Sequence, residues 1–135
     1  MAKVSFYLFE KSPERQVDST CRLCRKILRE PQRIWLYSAD PALQRALDER
    51  LWSFDAGSFI PHGIDEPTAQ VCISAQLPTE NDWIVFNFNE QALEQFAKFS
   101  HIIEIIENHE TAKQLGREKY KQYRRLGIEP QTHKL

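Results

Sequence analysis

Residues 33–42 read Arg-Ile-Trp-Leu-Tyr-Ser-Ala-Asp-Pro-Ala and join a strand to a helix. The apolar middle of this stretch, from Ile34 to Tyr37, shows little alternation, which is typical of a strand covered on both faces. Asp40 stands where a helix N-cap is favoured, and Pro41 suits the first helical position. The stretch therefore predicts one β-α unit of a parallel sheet.

Similar units follow in both directions along the chain. Further strands are predicted at 4–9, 71–74, 83–88 and 101–106, and further helices at about 14–29, at 89–99 and at 113–126. Asn89 is the expected N-cap of the helix at 89–99, which would bury Phe96 and Phe99. The order β-α-β-α-β-β-α-β-α predicts a three-layer Rossmann-like sandwich with an open, mostly parallel five-stranded sheet and right-handed crossovers.

Length and composition are those of one globular domain that spans residues 1–135. The chain is 41% hydrophobic and 27% charged, which is ordinary for a soluble protein. No apolar run approaches the roughly 20 residues of a membrane span. The first residues enter a strand pattern without a signal-peptide core. We therefore expect a cytoplasmic protein with no membrane partner.

The glycines argue against a nucleotide site. Only four are present, at 57, 63, 116 and 127, and none opens a helix after the first strand. The chain has neither G-x-G-x-x-G nor G-x-x-x-x-G-K-[ST], so backbone amides are not brought close to a phosphate in the usual way. We expect no phosphate-binding loop and no cofactor.

Residues suited to catalysis or metal binding do not form a convincing set. Cys21 and Cys24 make a C-x-x-C inside a predicted helix, without the further ligands that zinc needs. The four histidines are scattered, and no G-x-S-x-G elbow is present. Glu104 and Glu107 permit a paired-carboxylate site, but a solvated or salt-bridged role is favoured. The sequence therefore predicts no metal site and no enzyme, although a thiol-dependent enzyme using the two cysteines remains an alternative.

Charge is distributed unevenly along the chain. Residues 1–112 carry 11 Lys and Arg against 17 Asp and Glu, whereas residues 113–135 carry 7 against 2. The formal net charge of the whole chain is only −1. Such an asymmetry indicates an acidic or nucleic-acid partner that meets the C-terminal segment.

The spacing of the C-terminal cations adds detail. On a helix, Lys113, Arg117, Tyr120 and Arg124 fall within about 60° of one another, with Lys121 beside them. The opposite, core-facing side is expected to hold Ala112, Leu115 and Leu126, with Lys119 reaching water from its edge and Gly127 ending the helix. A basic helix face is often simply solvated. The alternative is a stripe that recognises anions.

A second candidate surface is the segment after the second helix. It places Trp52, Phe54, Phe59, Ile60 and Pro61 where no periodicity requires large apolar groups. Loops that cross a surface are usually polar. These residues either cover the sheet edge and complete the core, or form a hydrophobic docking site for a protein.

Three segments carry a resemblance to a known family. They are Val4-Ser-Phe-Tyr-Leu-Phe9, Leu51-Trp52 followed by Ser58-Phe-Ile-Pro-His62, and the ending Lys113-Gln-Leu-Gly-Arg117-Glu-Lys-Tyr120-Lys121-x-Tyr-Arg124. Together, and in this order, they resemble the chi subunit of bacterial DNA polymerase III holoenzyme. That family is non-catalytic and Rossmann-like, without a phosphate loop. The resemblance thus implies a replisome-associated adaptor in DNA replication.

The resemblance also implies partners and site residues. Members bind the acidic C-terminal tail of single-stranded-DNA-binding protein, and they bind the psi subunit, which tethers them to the clamp loader. A repair helicase competes for one of these surfaces in some bacteria. Carried over by motif, the tail site comprises Ile106, Lys113, Arg117, Tyr120, Lys121 and Arg124. The psi-type site comprises Trp52, Phe59, Pro61 and His62. The alternative to this adaptor is a direct single-stranded DNA-binding protein that uses the same basic helix, although the acidic remainder argues against strong nucleic-acid binding.

Overall fold

The computed structural model describes residues 3–30, 32–53, 60–95 and 98–135. These residues form seven strands and three helices. The strands are β1 (Lys3–Leu8), β2 (Ile34–Tyr37), β3 (His62–Ile64), β4 (Val71–Ser74), β5 (Ile84–Asn87), β6 (His101–Ile106) and β7 (Gln131–Lys134). The helices are α1 (Gln16–Ile27), α2 (Pro41–Ser53) and α3 (Glu110–Arg125).

The strands form one open sheet in the order β3-β4-β2-β5-β6-β1-β7. Every neighbouring pair in this sheet is parallel. The predicted parallel sheet is confirmed, but the predicted number of five strands is wrong. The two additional strands, β3 and β7, are short and largely polar, and they lie at the two edges. Edge strands pair through backbone groups and need no apolar run, which is why the hydrophobic pattern did not indicate them.

The sheet separates two apolar layers, because side chains alternate along each strand. On β6, Ile103 and Ile105 pack in a cluster that includes Cys21 and Cys24 of α1. The intervening Ile102 and Ile106 pack on the other side in a cluster with Tyr123 of α3. Helices α1 and α2 thus cover one face and α3 the other. The predicted three-layer α/β sandwich is confirmed.

The predicted start of α2 is confirmed in detail. The Asp40 carboxylate accepts a hydrogen bond of 3.0 Å from the backbone N–H of Ala42. This bond satisfies one of the amides that has no partner within the helix, and Pro41 at the first position lacks an amide hydrogen to satisfy. None of the helices in the described ranges is long and apolar enough to cross a membrane.

The predicted helix at 89–99 is wrong for its described residues. Residues 89–95 and 98–100 form bends, turns and irregular backbone, with residue 98 in a 3₁₀ turn, while Phe96 lies outside the described residues. The side-chain oxygen of Asn89 accepts a hydrogen bond of 2.9 Å from the backbone N–H of Ala39, so Asn89 does not cap a helix. The amides of Ala92 and Leu93 donate instead to side chains of α3. Tertiary hydrogen bonds replace the local ones that a helix would need.

Helix α3 ends as predicted but buries a different side. Gly127 follows it with a φ of 91°, a left-handed conformation that favours glycine. The buried residues of α3 are Gly116, Lys119 and Tyr123, whereas Leu126 is 39% exposed. The prediction that Leu126 faces the core and that Lys119 reaches water is therefore wrong. Lys119 is buried because β6 supplies an acidic partner, which the helix pattern alone does not reveal.

Candidate anion-binding groove

The inner side of α3 is fixed to the sheet by a buried polar network. Lys119 Nζ lies 2.6 Å from Glu104 Oε1, and the Tyr123 hydroxyl donates to Glu104 Oε2 at 2.7 Å. Asn87 Nδ2 donates to the same Oε2 at 2.8 Å. Burial, followed by the Glu104 charge, raises the pKa of Tyr123 well above its usual range. Tyr123 therefore stays a neutral donor, and the network holds α3 in one position along β6.

The start of α3 is held by a second carboxylate. Glu107 Oε2 accepts from Arg15 Nε at 2.7 Å and from the Gln16 amide at 2.8 Å. His109 is the N-cap of α3 and accepts from the Ala112 amide at 3.2 Å. Burial alone raises the pKa of Glu107, but hydrogen bonds from Arg15, Gln16 and His109 outweigh it and lower the pKa. Glu104 and Glu107 thus each serve a separate salt bridge, as the favoured interpretation predicts.

Gly116 sets the distance between α3 and β6. A Cβ atom at this position would lie only 2.8 Å from Ile106 Cδ1, closer than real side chains approach. The missing side chain therefore lets the helix come close to the end of β6. Beside this contact, a depression lies between α3 and the neighbouring strands β6 and β1.

We call this depression the α3 groove. It has a volume of about 440 Å³. Its lining combines apolar side chains of the strands with charged and polar ones, chiefly of α3: Phe6, Leu8, Glu10, Ile106, Glu110, Lys113, Gly116, Arg117, Tyr120 and Thr132. Among the described residues, the lining thus holds two cations and two carboxylates, of which Glu110 is paired with Arg117 and Glu10 with Lys134. An apolar floor beside exposed cations suits a ligand that carries both an apolar group and negative charge.

The cations of the groove are accessible. The Arg117 side chain is 54% exposed, and its guanidinium donates to Glu110 at 3.0 Å and to Gln114 at 2.9 Å. Both contacts are made at the surface, where an ion pair contributes about 0–1 kcal/mol. A ligand carboxylate can replace such partners at small cost, and guanidinium geometry favours bidentate binding of carboxylates.

Tyr120 forms the aromatic part of the helix wall. Its ring meets the ring of Phe6 edge-on, with centroids 5.4 Å apart. Its hydroxyl donates to Glu129 at 3.4 Å. The packing fixes the ring against the floor of the groove, so an apolar ligand group would meet an ordered surface.

The groove brings together four of the six residues predicted for the tail site: Ile106, Lys113, Arg117 and Tyr120. Lys121 and Arg124 lie further along the exposed side of α3 and do not line the groove. Lys121 approaches Glu118 at 3.9 Å, and Arg124 approaches Glu129 at 3.5 Å.

Sequence reasoning found Ile106 of β6 but missed the other groove residues that lie outside α3. Phe6 and Leu8 come from β1 and Thr132 comes from β7. The period-2 pattern of β1 places Phe6 and Leu8 on one face. It does not reveal that β1 lies next to β6 and so beneath α3.

The residues predicted for a second partner lie on the other side of the sheet. Trp52 is 60% exposed at the end of α2, and its ring meets the His62 ring edge-on at 5.1 Å. His62 Nδ1 is 2.7 Å from the carbonyl oxygen of Ile60. Pro61, which precedes His62 in the chain, is exposed. Phe59 and Phe54 lie outside the described residues. The His62 side chain is itself buried, so it supports the Trp52 ring and offers no exposed atoms. We refer to Trp52 and Pro61, with His62 beneath them, as the Trp52 surface.

The cysteines are unsuited to thiol chemistry. Cys21, Cys24 and Cys72 are free and buried. Burial raises the pKa of Cys21 to about 12 and that of Cys72 to about 11, and it raises the pKa of Cys24 still further. Almost no thiolate would form near neutral pH, and the thiolate is the reactive species. Within the described ranges, no three His, Cys, Asp or Glu side chains converge as a metal site would require.

These features define a class of protein. It is a Rossmann-like α/β domain without a glycine-rich phosphate loop, and it carries a groove with exposed cations beside a helix face. Comparison with known sequences then identifies the family. The chain belongs to the DNA polymerase III chi subunit family, HolC, whose family model matches residues 1–131.

Individual relatives agree with this assignment. DNA polymerase III subunit chi of Pseudomonas aeruginosa is 31% identical, and the match covers 100% of this chain and 98% of the relative. The chi subunits of Haemophilus influenzae and Escherichia coli are 26% and 24% identical, with at least 94% of each chain covered. Chi is an accessory subunit of the polymerase in DNA replication and not a catalytic one. The predicted family is confirmed, as is the prediction that the chain is not an enzyme.

A solved structure shows the same fold in a different protein. The C-terminal domain of S. cerevisiae Dbp5, determined bound to Gle1 and IP6, superposes with a TM-score of 0.62. The two chains are 15% identical, and the superposition covers 98% of this chain and 90% of that domain. At this identity the likeness concerns the fold alone.

Proposed function

We propose that this chi-family protein is an adaptor whose α3 groove binds the acidic C-terminal tail of single-stranded-DNA-binding protein. The observation that carries the proposal is the pairing of Lys113 and Arg117 with the apolar floor made by Phe6, Leu8 and Ile106. The tail implied by the family resemblance has acidic residues, a terminal Phe and a free carboxylate. Each of these groups has a counterpart in the groove.

The proposal gives each group of the tail a partner in the groove. Arg117 holds the terminal carboxylate, and its exposed guanidinium, which donates to Glu110 and Gln114, supports this role. The floor receives the Phe ring, and the volume of about 440 Å³ lies within the range of pockets that bind small groups. Lys113 attracts the acidic residues that precede the Phe.

Lys121 and Arg124 act at a distance in this proposal. They extend the positive face of α3 beyond the groove, and their ion pairs with Glu118 and Glu129 are long and exposed. Charges in such positions steer an acidic partner and raise the association rate more than the affinity. Their contribution should fall as salt screens them.

The Trp52 surface, together with Phe59, is proposed to bind the psi subunit, which would tether the adaptor to the clamp loader. The exposed Trp52 ring supports this part, since large exposed aromatic side chains are frequent anchors of protein interfaces. This surface belongs to the α2 side of the sheet and the α3 groove to the opposite side. One protein can therefore hold both partners at once. A repair helicase is a further proposed partner at one of these surfaces.

A direct single-stranded DNA-binding function is the second candidate, favoured only by the positive face of α3. Such proteins stack successive bases on exposed aromatic rings. In the α3 groove the Tyr120 ring already packs against Phe6. The 11 cations of residues 1–112 are also outnumbered by 17 acidic residues.

Titration with three ligands tests the proposal. They are an acidic peptide ending in Asp-Phe with a free carboxylate, the same peptide with an amidated end, and an oligonucleotide of matched charge. Isothermal calorimetry should show the free-acid peptide binding about tenfold or more tightly than the amide, because a charge-assisted bond to Arg117 is lost. Tight oligonucleotide binding without peptide binding would replace the proposal by the DNA-binding candidate.

A further inference from the structure

A second and larger groove lies on the opposite side of the sheet from the α3 groove. It has a volume of about 730 Å³ and follows α1 along its C-terminal half. Tyr7 and Phe9 enter it from the first strand region, and Ile60 and Pro61 form its far wall. We call it the α1 groove.

Four cationic side chains line one side of the α1 groove. Arg22, Arg25, Lys26 and Arg29 all line it and are all exposed. Arg25 and Lys26 are three and four residues after Arg22 on α1 and therefore lie with it on one stripe of the helix, and Arg29 lies in the turn that follows it. Arg22 is paired with Glu14. Within the described part of the chain, Lys26 and Arg29 make no side-chain hydrogen bond or ion pair.

A helix dipole accounts for only part of this arrangement. Cations are favoured in the last turn of a helix, which here holds Arg25 and Lys26. Arg22 lies before that turn and Arg29 lies after the helix ends at Ile27. Like charges at these spacings repel one another, so the stripe does not serve the stability of α1 by itself.

Apart from the four cations, Ser19 and Gln70, the described residues that line the groove are apolar. Leu23 and Leu28 of the α1 region are half-buried, as is Tyr7, and Ile60 is 5% exposed. Pro61 is exposed at the rim. No cation stands on the apolar side among the described lining residues. A ligand for this groove therefore needs negative charge on one side only and apolar groups on the other.

This one-sided charge favours a protein segment over a nucleic acid. A single strand would need exposed rings on which to stack its bases. The two aromatic residues among the described lining residues offer little: Phe9 is 2% exposed, and one face of Tyr7 is covered by His133, which stacks at 4.8 Å. An amphipathic segment with carboxylates along one face and apolar side chains along the other complements the cationic side and the apolar side of the groove.

We propose that the α1 groove is a further protein-docking site, beside the α3 groove and the Trp52 surface, and that it binds an acidic amphipathic segment of a partner. Its carboxylates pair with Arg22, Arg25, Lys26 and Arg29, and its apolar side chains cover Leu23, Leu28 and Ile60. Pro61 belongs both to this groove and to the Trp52 surface. The inference rests on the lining of the α1 groove and stands without the α3 groove having its proposed ligand.

Fluorescence anisotropy with the full chain tests this site. The probe is a labelled amphipathic helical peptide with Glu on one face and Leu on the other, amidated so that it cannot offer a terminal carboxylate to Arg117. The double variant Lys26→Glu/Arg29→Glu should bind the probe about tenfold or more weakly than the wild type, because two attractions become repulsions. The matched double variant Lys113→Glu/Arg117→Glu should change probe affinity by no more than about twofold.

Further measurements on the same variants distinguish a failure of this inference from a failure of the proposed function. Thermal unfolding checks that the variants fold, and the neutral variant Lys26→Gln/Arg29→Gln should give an intermediate loss. The free-acid Asp-Phe peptide should bind Lys26→Glu/Arg29→Glu as it binds the wild type. The inference is overturned if the probe does not bind, if Lys26→Glu/Arg29→Glu leaves its affinity unchanged, or if a charge-matched oligonucleotide binds the α1 groove more tightly than the probe.

Discussion

The two sides of α3 use similar residues in opposite ways. On the inner side, Lys119 is 7% exposed and lies 2.6 Å from Glu104, which is fully buried. On the outer side, Arg117 is 54% exposed and its acidic partner Glu110 is 82% exposed. Tyrosines follow the same division: Tyr123 is buried in the Glu104 network, and Tyr120 lines the α3 groove.

The two sides differ in how easily their charged side chains can exchange partners. A buried charge that loses its partner is left in a medium of low polarity, so the inner pair is fixed once the protein has folded. An exposed pair is close to neutral in energy, so the outer cations can give up their partners to a ligand. The inner network therefore positions α3, and the outer side is available for binding.

Removal of the inner carboxylate should have the largest effect. Glu104→Gln leaves Lys119 buried without a charged partner, and we expect it to lower the free energy of unfolding by about 3–5 kcal/mol. Urea denaturation followed by circular dichroism measures this loss. The double variant Glu104→Leu/Lys119→Met should be less destabilised than Glu104→Gln, because it leaves no isolated charge. A loss below about 1 kcal/mol for Glu104→Gln would show that the network does not hold α3.

Removal of the outer guanidinium should affect binding and spare the fold. Arg117→Ala is expected to weaken binding of the acidic Asp-Phe peptide by about 1.5–3 kcal/mol, which is the usual contribution of a hydrogen bond to a charged group. Its free energy of unfolding should stay within about 0.5 kcal/mol of the wild type, since the residue is exposed. Calorimetric titration and urea denaturation together measure both quantities.

Two arginines further along α3 serve as graded controls for Arg117→Ala. Arg124→Ala should reduce peptide affinity about threefold or less and mainly slow association, because Arg124 does not line the groove. Arg125→Ala removes the same charge from an exposed neighbour and should have a smaller effect still. Equal losses in all three variants would indicate general attraction of an acidic peptide, without a defined carboxylate site.

The sequence was sufficient for the elements whose packing is local. The apolar middle of β2, the Asp40 cap of α2 and the Gly127 end of α3 all lie where the patterns predict them. Each depends on neighbours in the chain: burial of a strand, satisfaction of an amide, or a left-handed residue after a helix.

Features that depend on distant contacts were not predictable in this way. Asn89 has the form of a helix cap, but its side chain is taken by the Ala39 amide of another loop. Lys119 has the spacing of an edge residue, but Glu104 of β6 draws it inside. The sequence indicated the α3 side of the α3 groove and Ile106 of β6, but not the residues of β1, since the adjacency of β1 and β6 is a matter of topology.

The cations of α1 show a different limit of sequence reasoning. Residues 1–112 carry an excess of acidic residues, and that sum conceals the cluster from Arg22 to Arg29. A net charge over a long segment averages surfaces that face different ways in the folded protein. A shorter window, read with helical spacing, contains the signal.

The most direct test of the central claim is to map the bound acidic peptide on the protein. Amide chemical-shift changes in a ¹H–¹⁵N titration with the free-acid Asp-Phe peptide should concentrate at Lys113, Arg117, Tyr120 and Ile106, and at the adjoining end of β1. The Trp52 surface and the α1 groove should keep their shifts. Changes confined to either of those two surfaces, with α3 unaffected, would contradict the assignment of the outer side of α3 as the site of the acidic tail.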